Sequence, residues 1–165
     1  MATAQHGDTA LEQREPQPIV SIRATIPVSQ IGDEMGARLA LLADYLQQSG
    51  ATAAGPLFVR YHSFGETETD METGLPVATP VAGAGRVTPG TLPGGPAVTT
   101  WHFGSHQSLG EAYGRIGAWL QEHGRGADGS SWEVYYWIDP SRNPDPAGWQ
   151  QDHTVWGTQL VQPVK

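Results

Sequence analysis

Two stretches of this chain repeat one another at a fixed spacing. Met35 matches Leu109, Gly36 matches Gly110, Leu39 matches Tyr113 and Leu42 matches Ile116. Tyr45-Leu46 matches Trp119-Leu120, Gly50 matches Gly124, and Phe58 and Tyr61 match Trp132 and Tyr135, every pair 74 residues apart. The endings Thr79-Pro80-Val81 and Gln162-Pro163-Val164 also correspond, after a longer loop in the second half. Agreement across a helix, its cap and the following strand predicts a duplicated unit that must pack against its own copy.

Each half reads as strand, helix, strand, strand. Ile19 to Ile26 is a strand ended by Pro27, and Ser29 is placed to cap a helix. Met35, Leu39, Leu42 and Leu46 recur at three- and four-residue steps, one apolar helical face, and Gly50 closes the helix. Leu57 to Phe64 is the next strand. The acidic stretch Gly65 to Thr73 reads as a loop, and Leu75 to Val81, broken by Pro76 and Pro80, as an edge strand. Arg86 to Leu92 and Ala97 to Phe103 read as a hairpin around Pro93-Gly94-Gly95. Leu109, Tyr113, Ile116 and Leu120 form a second helical face, with Trp119 at its border. Strands follow at Trp132 to Asp139 and at about Thr154 to Val164. Two β-α-β-β units predict an α+β fold: a curved antiparallel sheet, two helices on one side, and a ligand cleft on the other around a pseudo-two-fold. Residues 1–17, polar and charged, are expected to be a disordered tail, and 18–165 a single domain.

The strand Trp132-Glu-Val-Tyr-Tyr-Trp-Ile-Asp139 carries the chemistry. Alternation puts Glu133, Tyr135 and Trp137 on one face and Trp132, Val134, Tyr136 and Ile138 on the other. Bulky groups on both faces predict burial, and a buried carboxylate among rings needs hydrogen bonds, neutralisation or a cation. That face is therefore the expected floor of the cleft. Tyr61, the repeat mate of Tyr135, should lie near it; Trp101 or Phe103, depending on register and with Trp101 preferred, and Trp156 are further candidate walls. Each of these rings could equally be core.

Composition removes other classes. The chain has 165 residues and no Cys, so disulfides and thiol chemistry are excluded. A net charge of −8 opposes nucleic-acid or acidic-membrane binding and favours neutral or cationic ligands. No run is long enough to span a membrane and no secretory leader is visible, so a cytoplasmic protein is expected. His102 and His106 are four apart but straddle a strand end and Gly104, so neither a metal nor another cofactor is expected, and His102 should bond backbone at that turn. His62, His123 and His153 show no convergent spacing. There is no nucleophile elbow and no P-loop.

His102-Phe-Gly-Ser-His-Gln-Ser-Leu-Gly-Glu-Ala-Tyr-Gly-Arg-Ile-Gly-Ala-Trp-Leu-Gln-Glu-His-Gly124 resembles the second-repeat helix of GyrI-like, or bacterial effector-binding, domains. Trp132-Glu-Val-Tyr135, Asp139-Pro140, Gly74-Leu-Pro-Val-Ala-Thr-Pro-Val81, Leu92-Pro-Gly-Gly95 and Thr158-Gln-Leu-Val-Gln-Pro-Val164 extend the resemblance over about Pro18 to Val164. It implies an SHS2-type duplicated fold that binds multiple drug-like molecules. In that family the glutamate matched by Glu133 sits in an aromatic pocket facing lipophilic cations. Tyr135, Trp137, Tyr61, Trp101 and Trp156 are the expected ligand neighbours. The resemblance also implies a second possibility, a hydrolase that opens cyclopropane-bearing genotoxic alkylators, with Glu133 and Tyr135 catalytic. Family regulators carry a helix-turn-helix, and about seventeen residues before the fold are too few for one, so direct DNA binding is not expected. A monomer or weak dimer with a small-molecule ligand is expected, and a purely protein-binding role is the third alternative.

Overall fold

The computed structural model describes residues 5–141 and 157–165. In chain order the elements are β1 (Thr9–Arg14), β2 (Gln17–Pro27), α1 (Ile31–Ser49), β3 (Leu57–Phe64), β4 (Glu68–Pro76), β5 (Thr88–Leu92), β6 (Gly95–Phe103), α2 (Gly110–His123), β7 (Trp132–Tyr135) and β8 (Gly157–Pro163). All eight strands form one antiparallel sheet in the order β1-β6-β8-β7-β3-β4-β2-β5. No described helix is long and apolar enough to cross a membrane.

The order is that of a duplicated unit. The segments β2-α1-β3-β4 and β6-α2-β7-β8 lie on the two sides of the central β3–β7 pair. Phe58 pairs with Val134 and Arg60 with Trp132, so the two pairings exchange under the 74-residue repeat. Val59 pairs with Glu133, its own repeat mate, which puts both on the pseudo-two-fold axis. The bridges Ala53–Val77 and Ala127–Val164 are equivalent too. They set the matching strand ends as Pro76-Val77 and Pro163-Val164, which corrects the Thr79-Pro80-Val81 correspondence. Both helices end as the sequence implies, on left-handed glycines Gly50 (φ 71°) and Gly124 (φ 60°). The N-cap of α1 is Gln30, with no side-chain bond, rather than Ser29.

Residues 9–17, expected in a disordered tail, instead form β1 and the start of β2. The edge strand β1 is held by backbone pairing to β6 and leaves most of its side chains exposed, so it carries no apolar signal. The acidic loop is mostly β4, an interior strand. Thr69, Met71, Thr73 and Leu75 are buried at every second position, while Asp70 and Glu72 on the opposite face find Arg23, and Ser21 and His62. The β5–β6 hairpin does not exist: β5 pairs with β2 and β6 with β1 and β8, at opposite ends of the sheet. The two-residue links Glu15-Pro16 and Pro93-Gly94 can join such distant strands only because the sheet curls and its ends approach.

The hollow of the curl is filled by Ile19, Phe58, Leu92, Ala97, Trp132, Val134 and Val161, drawn from both ends and the middle of the sheet. On the outer face each helix covers its own repeat. Leu42 and Tyr45 of α1 pack with Val59, Met71 and Tyr135, and Ala112 and Ile116 of α2 pack with Val98 and Leu160.

Candidate functional site

Across the middle of the sheet runs the row Ile22, Thr73, Val59, Glu133, Leu160, Thr100, one residue from each neighbouring strand and all on the helix side. Arg38 of α1 bonds Thr73 Oγ1 (3.1 Å), and Arg115 of α2 bonds Thr100 Oγ1 (3.0 Å). The two helices thus cover the flanks of this row. Glu133 lies between them, at the seam of the two helix-sheet cores.

Glu133 is only 4% exposed. Its Oε1 accepts from the Tyr135 hydroxyl at 2.6 Å, and its Oε2 accepts from the Tyr113 hydroxyl of α2. No Lys, Arg or His among the described residues forms an ion pair with it. Burial raises the Glu133 carboxyl above its usual range, and the two phenol bonds, which favour the anion, only partly oppose that. The same burial, with Glu133 nearby, drives the Tyr113 and Tyr135 hydroxyls well above the ordinary tyrosine value. Tyr61 is pushed up to about 12 by burial and then by the charge of Glu133. All three phenols are therefore neutral donors at neutral pH.

The sequence-predicted residues divide between the two faces. Glu133, Tyr135, Tyr61 and Trp137 are together on the helix side. Trp137 stacks on Tyr135 (4.6 Å between centroids, 19°), and Tyr61 meets Phe64 edge-on (5.4 Å). Trp101 does not join them: it faces the hollow, near Tyr136 (4.7 Å) and stacked on Phe103 (5.8 Å). Trp156 lies outside the described residues. β7 ends at Tyr135 rather than running to Asp139, and a turn closed by Ile138 N–H to Tyr135 O follows. That turn carries Tyr136 and Trp137 to their separate places.

Two residues were missed. Helical periodicity makes Tyr113 an apolar position, yet the residue is 40% exposed and its hydroxyl reaches Glu133. His106, read only against a metal, sits with its ring 5.0 Å from Tyr135 and 5.3 Å from Trp137. The signal for Tyr113 was present in the repeat, where Leu39 becomes Tyr at the step that turns Val59 into Glu.

A cavity of about 420 Å³ opens on the other face, in the mouth of the curl, lined by Glu12, Arg14, Phe58, Trp132, Val134 and Gln159 among others. The hollow expected opposite the helices is thus real, but Glu133 does not face it. Strand alternation fixes which residues share a face and is silent on which face the helices cover, and Glu133 points under the helices. Of the two places, the seam holds the buried carboxylate and the neutral phenols. Among the described residues it holds no group of three metal-ligating side chains.

A buried carboxylate held by two phenols thus lies at the seam of a duplicated helix-on-sheet fold. The model of the GyrI-like small molecule binding domain matches residues 8–147, and the chain belongs to that family. Among solved structures it is similar to the EcmrR C-terminal domain, with 22% identity and a TM-score of 0.79, covering 96% of this chain and 98% of that one. The EcmrR chain in a DNA complex matches at 22% identity and a TM-score of 0.77, covering 96% of this chain but 57% of that chain. A hydrolase encoded by lin2189 from Listeria innocua is similar at 13% identity and a TM-score of 0.67, covering 97% and 93%. SAV2435, in a structure bound to tetraphenylphosphonium, is similar at 12% identity and a TM-score of 0.62, covering 96% and 94%. A comparison with curated proteins found no match.

Proposed function

We propose that this domain binds lipophilic cations at the seam between its helices, with Glu133 as the charge partner and Tyr61, Tyr113, Tyr135 and Trp137 as the aromatic walls. The observation that carries the reading is a carboxylate 4% exposed, held by two phenols and with no cationic partner among the described residues. Such a group is costly to bury as an anion, and a cation entering the seam offsets that cost. Ring faces add about 0.5–2 kcal/mol per contact with a cation. Tyr113, whose hydroxyl bonds Glu133, is the exposed member of the set. Cationic drug-like compounds fit the chain's net charge of −8, which also opposes direct nucleic-acid binding. A xenobiotic-binding protein of the cytoplasm is the setting that suits such a site.

One feature also suits a hydrolase acting on strained electrophiles. A carboxyl with a raised pKa beside two phenol donors can serve as general base, with Tyr135 protonating the leaving side. Both carboxylate oxygens already accept phenol hydrogens, so water would have to compete for the remaining lone pairs. Binding is the better account.

Tetraphenylphosphonium titration, followed by tryptophan quenching, tests this in the wild type and in Glu133→Gln. Trp137, stacked on Tyr135, is the nearest reporter. The expected result is affinity weakened on the order of 10-fold or more by the substitution. Equal affinity for both proteins would remove Glu133 from the site. A ring-opened, hydrated product from a cyclopropane-bearing alkylator, formed only with Glu133 present, would put the hydrolase first.

A further inference from the structure

The histidines show no metal spacing in the sequence, and His106 does stand apart, beside Tyr135 and Trp137. Folding nevertheless brings together His6, His102 and Glu111, each offering a ligand atom within 4.8 Å of the others. His6 precedes β1, His102 lies on β6, and Glu111 is in the first turn of α2.

His102 is 1% exposed. Its Nε2 lies 3.1 Å from the Ser105 carbonyl oxygen and 3.1 Å from Ser108 Oγ, as expected for backbone bonding at that turn. A carbonyl can only accept, so Nε2 carries the proton and the lone pair is left on Nδ1. That Nδ1 is buried and has no hydrogen-bond partner. An acceptor stripped of water, with nothing donated to it, is rare and costly. The arrangement is the usual one for a ligating imidazole, whose other N–H is fixed by a backbone carbonyl.

We propose that His6, His102 and Glu111 form a site for a divalent transition-metal cation, with zinc the best match to two imidazoles and one carboxylate. His102 is the preset, buried ligand, while exposed His6 and Glu111 close onto the ion. A four-coordinate zinc holds its ligand atoms about 3.4 Å apart, so the closure needed is at most about an ångström and a half. His6 Nδ1 now accepts from the Phe103 N–H at 3.1 Å. A neutral imidazole has one in-plane lone pair, so ligation through His6 releases that N–H. Phe103 is exposed at the end of β6, and water can replace the lost acceptor. The bound cation ties the segment before β1 to the β6–α2 junction. It thereby fixes an edge strand whose Glu12 and Arg14 wall the cavity on the inner face.

The test uses the tag-free chain stripped of metal with a chelator. Titration with Co(II) is followed by its visible absorption bands, then by displacement with Zn(II), while the Phe103 amide is watched by NMR. The site predicts one cation per chain, a Phe103 amide shift and a higher unfolding temperature with metal. His6→Ala and Glu111→Gln, both at exposed positions, should each weaken binding on the order of 10-fold or more. His123→Ala, outside the cluster, should not. No binding, undiminished binding in both cluster variants, or equal loss in His123→Ala would each overturn the site.

Discussion

The two repeats are alike as scaffold and unlike at the seam. On the axis Val59 of the first faces Glu133 of the second. Over that axis the first helix offers Leu39 where the second offers Tyr113, so an apolar pair in one repeat corresponds to a hydrogen-bonded Tyr–Glu pair in the other. The first repeat has its own buried polar pair, Arg38 on Thr73, at the positions of Ala112 and Leu160 in the second. Arg38 bonds within its own unit, through Nε to Glu34 and through Nη1 to Met71 O and Thr73. The Tyr–Glu pair stands where the units meet. Duplication supplies the frame, and one side of it supplies the chemistry.

Making the axis symmetric in charge should have the largest effect. Val59→Glu puts two carboxylates in directly paired positions under the helices, where both cannot be ionised. Denaturant unfolding should show a loss of about 3 kcal/mol or more at neutral pH, partly recovered on acidification. Next comes Tyr135→Phe, which leaves Glu133 Oε1 without its buried donor. A loss of about 1.5–3 kcal/mol is expected, since that bond is to a charged group.

The pH dependence of stability sharpens the comparison further. The folded protein holds the Glu133 proton more tightly than the unfolded chain does, because its carboxyl is raised by burial. Its contribution is therefore complete below the ordinary glutamate value and is lost as pH rises through the folded value. Glu34 and Asp70, lowered by hydrogen bonds from Arg86 and Arg23, act in the opposite sense as pH falls. The difference between wild type and Glu133→Gln isolates the first effect, with a slope of up to about 1.4 kcal/mol per pH unit above pH ~4.5. Leu39→Tyr should matter least. It gives the first helix a phenol with only Val59 beneath it, so cation affinity should stay within about twofold and stability within about 0.5 kcal/mol.

Much of this was legible. The strand Leu57–Phe64, both helices, their glycine caps and the shared face of Glu133 and Tyr135 follow from local periodicity and from the repeat. The errors share a cause. β1 is held by backbone pairing and a few polar side-chain bonds to β6, and β4 alternates its acidic residues against partners on β2 and β3, neither of which leaves a mark in local hydropathy. Pro93-Gly94 looks like a hairpin turn because a short link implies neighbouring strands. In a curled sheet the ends meet, and the implication fails. The side on which Glu133 lies depends on where the helices pack, a tertiary fact absent from strand alternation. His6 and His102 are brought together by β1 pairing with β6, so no spacing rule could find them.

The central claim is that Glu133 selects charge. Its most direct test is the ratio of affinities for tetraphenylphosphonium and for a neutral analogue of similar size, triphenylphosphine oxide, in wild type and in Glu133→Gln. The wild type should prefer the cation on the order of 10-fold or more, and the variant should bind both about equally. A preference that survives the substitution, or one that the wild type never shows, would contradict it.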